Sequence, residues 1–259
     1  GFQVGDAVAT TGRGGGYREY QRLPAQQVIP IPSAIPEILT LMPTGVSALV
    51  ALEQAGEMGQ GETVLITAAA GGTGHLAVQL ALLAGNRVIA VCGSEAKAQR
   101  LQALPCVQQP HSPGLRIVNY RRESLEAVLA QEYPQGIDLM FDCVGQQVFD
   151  TGLKHLAVRG RLVVVGFISE YAAGLETVNQ PRIYEQLFWK AASVRGFLMP
   201  HYAEHSAAAR DRLLTLFHTG ELQVLVDPHP FVGIAAITDA VEYLLSGQSC
   251  GKVVVQLAD

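Results

Sequence analysis

A doubly wound α/β fold around a parallel sheet is what these 259 residues predict, and three observations predict it. From about residue 62, short apolar runs alternate with segments that carry apolar residues at helical spacing. The short runs are rich in β-branched residues and do not alternate with polar ones, as expected of parallel strands covered on both faces. Between the first run and the first helical segment stands a cluster of glycines, where such a sheet turns around a ligand.

In chain order, residues 1–35 are rich in Gly and Pro, with strand-like pieces at 6–11, 17–23 and 27–32. That composition predicts a β-rich flank. The strands of the main sheet are read at 63–67, 87–92, 137–142, 161–167 and 193–199. Helices are read at 75–85, 95–104, 124–133 and 147–158, with Gly85 closing the first. Residues 105–116, with three prolines and a glycine, are read as the loosest stretch. An amphipathic helix over 234–247, closed by Gly247, and a last strand over 251–257 complete the pattern.

Composition narrows the function. The chain is 49% hydrophobic with a net charge of −5, and its Lys and Arg are scattered, which argues against a nucleic-acid face. No apolar run in the sequence reaches membrane-spanning length, and the first residues do not read as a signal peptide. A cytoplasmic protein is expected, with an organelle left open. Cys92, Cys106, Cys143 and Cys250 are far apart and form no C-x-x-C pair. They are read as reduced thiols, and no metal site is expected.

The motif that carries chemistry is Ala69-Ala70-Gly71-Gly72-Thr73-Gly74. Set against G-x-G-x-x-G, it has alanine at the first place and glycine at the other two. The first place needs a small residue for the tight turn. The second lets backbone approach a pyrophosphate, and the third lets helix pack on strand. The helix N-terminus then faces the phosphates. At the end of the second strand an NAD site usually has Asp or Glu for the ribose 2′-hydroxyl. Here Gly93 and Ser94 stand instead, with Lys97 one turn later, a set suited to the 2′-phosphate of NADPH. Glu95 counts against that reading, although helix N-termini favour acids in any case.

Taken together, residues 68–81, 93–97, 118–123, 141–150, 160–171, 192–202 and 239–257 resemble the medium-chain dehydrogenase/reductase superfamily. Within it the likeness is to the quinone oxidoreductase and enone reductase branch. The resemblance implies a partial GroES-like catalytic domain over 1–45, an NADP-binding Rossmann domain over 46–200, and a closing part over 201–259 that holds the end of the Rossmann domain and the return to the catalytic domain. The family's opening segment has no counterpart, so one wall of the substrate pocket is expected to be missing. The implied activity is zinc-independent transfer of hydride from NADPH to the C=C bond of an enone, such as a 15-oxoprostaglandin-like compound or a 2-alkenal. A quinone reductase on the same scaffold, and an NADPH-binding protein without turnover, remain open alternatives.

Carried over residue by residue, the likeness places Gly71, Gly72 and Thr73 at the pyrophosphate, and Gly93, Ser94, Lys97 and Tyr120 at the adenosine phosphate. Cys143 lies below the cofactor, and Ile168 and Tyr171 follow the next strand. Phe197, Leu198 and Met199 line the nicotinamide side, Ser47 stands near the carboxamide, and Ser249 takes the place of an Asn common in relatives. Tyr202 is the candidate catalytic donor, with an ordinary rim tyrosine or a cofactor ribose hydroxyl as rivals. A small-molecule enone or quinone is the expected partner, and a homodimer through the strand at 193–199 is compatible with the pattern.

Overall fold

The computed structural model describes residues 1–10, 15–172 and 174–257. The chain enters through an antiparallel pair, β1 (Val8–Thr10) and β2 (Val28–Pro30). The strand expected over 17–23 is instead an exposed irregular stretch. A helical run, Pro36–Ala55, follows, containing α1 (Pro36–Thr40) and α2 (Val46–Val50). Wider, π-type turns occupy 41–45 and 51–55. Pro43 lies in the first of them and cannot donate the bond that a regular turn would use. By length and composition this run could cross a membrane, but 72% of its most apolar window is buried inside the molecule. It is the core helix beneath the sheet.

The sheet then builds in alternation: β3 (Thr63–Ile66), α3 (Gly74–Leu83), β4 (Arg87–Cys92), α4 (Glu95–Gln102), the short α5 (Pro105–Gln108), β5 (Leu115–Asn119), α6 (Leu125–Glu132), β6 (Ile137–Asp142), α7 (Gln146–Lys154) and β7 (Leu156–Val164). After α8 (Tyr184–Lys190), β8 (Ser193–Gly196) completes it. The six strands are all parallel, in the order β5-β4-β3-β6-β7-β8. The order reverses between β3 and β6, and ligands of such sheets bind outside the strand C-termini at that point. Buried side chains form one cluster on each face: Leu41, Leu52, Ile66, Leu76 and Phe141 on one, Leu65, Ile89, Leu129 and Met140 on the other. Neighbouring residues of one strand, Leu65 and Ile66, thus point to opposite faces, which is why the strand sequences are apolar without alternation.

Two further expectations shift. Residues 156–158, read as the end of a helix, begin β7, and the helix stops at Lys154. Leu115–Asn119, at the edge of the stretch read as loosest, is strand β5, paired to β4 along its whole length. Beyond the sheet lie α9 (Ser206–His218) and α10 (Ile237–Leu245), with the parallel pair β9 (Phe231–Val232) and β10 (Val255–Gln256). Gly247, at φ +70, ends α10 as expected.

Candidate functional site

A cleft of about 550 Å³ opens at the reversal point of the sheet. Its floor is the turn after β3, Thr67 to Gly74. One end reaches Gly93, Lys97 and Tyr120, and the other Cys143, Ile168 and Ser169.

The glycine turn is set by close packing. Ala68 adopts a left-handed φ of +45, and its carbonyl reaches under the start of α3. A Cβ at Gly74 would lie 2.2 Å from Ala68 O and 2.8 Å from Ala69 Cα, both backbone atoms. Only glycine fits there, as the third place of the motif requires. At Gly72 a Cβ would project to 3.3 Å from the Lys252 side chain, filling space at the mouth of the helix. Both places thus form a cradle that a side chain would obstruct.

The turn is anchored from behind by a histidine that sequence reasoning passed over. His75 is completely buried, with Nδ1 2.8 Å from Gly71 O and Nε2 2.9 Å from Leu225 N. A carbonyl only accepts and an amide only donates, so the ring carries its proton on Nδ1 and is neutral. Burial pushes its pKa down to about 4. One turn later, Gln79 donates to Gln223 O and accepts from Gln223 N, at 2.8 and 2.9 Å. The two side chains share one face of α3 and hold residues 223–225 against it. That segment in turn pairs with Lys252: Lys252 N donates to Leu225 O and Asp227 N to Lys252 O. Gly251 N donates to Ala70 O, so the segment that carries Lys252 is stitched directly to the glycine turn.

At the far end of the cleft, Ser94 caps α4, its hydroxyl oxygen accepting from Lys97 N at 3.3 Å. The hydroxyl proton stays free to donate. Ser94 itself is not a lining residue; Gly93 and Lys97 are. Lys97 Nζ donates to Gly247 O at 2.6 Å, and burial lowers its pKa. Tyr120 covers Gly93 so closely that a Cβ there would meet its hydroxyl at 2.5 Å.

At the near end, Asp142 closes β6, completely buried. It accepts from Thr67 Oγ1 at 2.7 Å and from the amides of Val144 and Gly145. Burial raises its pKa and these bonds oppose the rise. Thr67 Oγ1 also accepts from Cys143 N, so the two strand ends flanking the reversal are tied together. Burial pushes the Cys143 thiol up to about 12, so it is protonated at neutral pH. Lys252 Nζ donates to Thr44 Oγ1 at 3.2 Å, is lowered in pKa by burial, and has no carboxylate among its described partners. A partly buried cation without an anion, beside a helix N-terminus, suits a phosphate. Thr44 and Lys252 were not among the residues picked from sequence.

The structure gathers Gly71, Gly72, Thr73, Gly93, Lys97, Tyr120, Cys143, Ile168 and Ser249 into the cleft lining. The others lie outside it. Ser47 bonds to Pro43 O of its own helix, one turn beyond Thr44. Tyr171 packs edge-on against Phe167 and is more than half exposed. Phe197 is buried against Tyr202, and Leu198 and Met199 continue the same segment. Among the described residues, no three His, Cys, Asp or Glu side chains come together as metal ligands.

Residues 72–215 match the family described as zinc-binding dehydrogenase. Mouse prostaglandin reductase-3 is 41% identical over 99% of this chain and 68% of its own length. A probable quinone oxidoreductase of Leishmania amazonensis is 35% identical over 98% of the chain and 74% of its own. Among solved structures, CurA of Vibrio vulnificus in complex with NADPH superposes with a TM-score of 0.77 at 27% identity, covering 88% of this chain and 67% of that one. With the six-stranded order, the glycine turn and these likenesses together, the chain belongs to the zinc-binding dehydrogenase family, within the medium-chain dehydrogenase/reductase superfamily.

Proposed function

We propose that this chain is an NADPH-dependent, zinc-independent oxidoreductase that reduces the C=C bond of an enone or 2-alkenal. The observation that carries the reading is the cleft itself. It runs from the glycine turn to a second strand end that has Gly93 and Lys97 where a carboxylate would select NADH. In this reading residues 46–200 form the nucleotide domain. Residues 1–45 supply the catalytic domain's part, residues 201–259 complete the nucleotide domain and return to the catalytic domain, and a homodimer along the edge strand β8 belongs to the same proposal.

NADPH, when bound, supplies the hydride. The chain's own residues hold it. Gly71, Gly72 and Thr73, at the N-terminus of α3, take the pyrophosphate, and Lys252 sets a positive charge beside them. Gly93, Ser94, Lys97 and Tyr120 take the adenosine phosphate. Ser249 lies on the Lys97 side, between Gly247 and Cys250, whose carbonyls accept from Lys97 and Arg100, while Thr44, Cys143 and Ile168 surround the other end, with Ser47, Tyr171 and Phe197 to Met199 behind it. An un-ionised Cys143 offers neither nucleophile nor charge, which suits a site whose task is orientation. Tyr202 is the proposed donor to the oxygen on which charge develops as the alkene accepts hydride.

The likeness to a quinone oxidoreductase keeps a second acceptor in view. Steady-state NADPH oxidation with a 2-alkenal, a cyclic enone and a benzoquinone, with product analysis, separates the two. Saturated carbonyl product supports the proposal. Turnover confined to the quinone, or none with any acceptor, overturns it. Tyr202→Phe should lower kcat about 10- to 100-fold with KM little changed.

A further inference from the structure

Glu95 stands at the first position of α4, two residues before Lys97, and a carboxylate there favours NADH over NADPH. It also sits at a helix N-terminus, where negative charge is stabilised. Left alone, it would oppose the 2′-phosphate that Lys97 attracts.

It is not left alone. Arg122 Nη1 lies 2.9 Å from Glu95 Oε2. The turn that delivers Arg122 is fastened to the end of β4: Tyr120 N donates to Cys92 O, and the amides of Arg122 and Glu123 both donate to Asn119 O. The neighbouring acids are already claimed. Arg116 binds Glu123 through both of its terminal nitrogens, at 3.0 and 2.8 Å, and also takes Glu132. Arg122 therefore goes to Glu95. Arg121, the next cation along, makes no ion pair among the described residues, and its charge reaches Lys97.

We propose that the Arg122–Glu95 ion pair is a determinant of cofactor choice: it neutralises the acid at the mouth of α4 and so admits the 2′-phosphate to Lys97. The proposal rests on the NADPH reading of the cleft. An exposed pair such as this one, 70% and 50% exposed at its two side chains, contributes little to folding. Its removal should therefore leave the fold intact and expose the electrostatic effect.

The test is calorimetric titration of NADPH and NADH into the wild type, Arg122→Ala, Arg122→Lys, Glu95→Gln, the Arg122→Ala/Glu95→Gln pair, and Lys97→Ala. A freed carboxylate acting on a phosphate dianion should weaken NADPH about fivefold at low salt. NADH should change less than about twofold in Arg122→Ala, since it lacks the dianion. The loss should vanish in the double variant, shrink at high salt, and be largely rescued in Arg122→Lys. If Arg122→Ala weakens both cofactors equally, or leaves their ratio unchanged while Lys97→Ala lowers it, the proposal is wrong and the cleft reading stands. If Lys97→Ala also leaves the ratio unchanged, the cleft reading fails and the proposal with it.

Discussion

Acid should loosen this fold through His75 before it reaches the carboxylates. The ring is completely buried between Gly71 O and Leu225 N, with its pKa lowered from 6.5 to about 4, chiefly by burial. An unfolded chain takes up a proton as pH falls through 6.5; the native chain does not until about 4. Between those values the unfolded state binds more protons, so stability falls with falling pH. The contribution is fully present above pH 6.5 and gone below about 4. At about 1.4 kcal/mol per pH unit it amounts to roughly 3 kcal/mol, of which about 2 should be lost by pH 5. Glu57 and Glu123, held low by hydrogen bonds from Arg195 and Arg116, act in the same direction but below their ordinary value of 4.5. Urea denaturation of the wild type and His75→Gln in pH steps from 8 to 5 isolates the histidine. The variant's amide can still donate to Gly71 O and accept from Leu225 N, but cannot titrate. Its stability should be nearly flat across this window while the wild type's falls. Equal slopes would refute the assignment of the acid sensitivity to His75.

Three substitutions probe the cleft. Lys97→Ala removes one charge-assisted contact to the 2′-phosphate and should weaken NADPH roughly 10- to 150-fold while NADH barely changes, read by titration of both at fixed ionic strength. Lys252→Met keeps the stem and removes the charge; NADPH and NADH should weaken together, by about tenfold or more, because the pyrophosphate is common to both. A melting curve should show no loss of stability for this variant, since a desolvated cation has been replaced. Gly74→Ala sets a methyl against the Ala68 carbonyl; it should destabilise the protein by about 1–3 kcal/mol and depress cofactor affinity, read by denaturation and titration.

The sheet was legible because buried parallel strands leave an unambiguous record: Thr63–Ile66, Arg87–Cys92 and Ile137–Asp142 are apolar throughout or nearly so. Leu115–Asn119 was not. It is an edge strand beside a proline-rich stretch, and its Arg116 is satisfied by Glu123 and Glu132, a pairing that no local pattern announces. The glycine turn was readable because its constraints are local: Gly74 must clear the backbone six residues before it. Thr44 and Lys252 were missed for opposite reasons. The wide turn around Pro43 changes the phase of the helix, so Thr44 and not Ser47 faces the cleft. Lys252 arrives from far downstream, placed by its own bond to Leu225 O and by the bond of its neighbour Gly251 to Ala70 O. His75 looked like an ordinary helical residue, because its partners at Gly71 and Leu225 are backbone atoms. A signal did exist: His75 and Gln79 are two polar residues at i, i+4 in an otherwise apolar helix, and such a pair needs buried partners.

The central claim is that the cleft holds NADPH and discriminates it from NADH. Calorimetric titration of each cofactor into the purified chain, at one ionic strength, tests it most directly. One NADPH should bind per chain, at least about tenfold more tightly than NADH, as one charge-assisted contact to the 2′-phosphate requires. Equal affinity for the two, or no heat of binding with either, would contradict it.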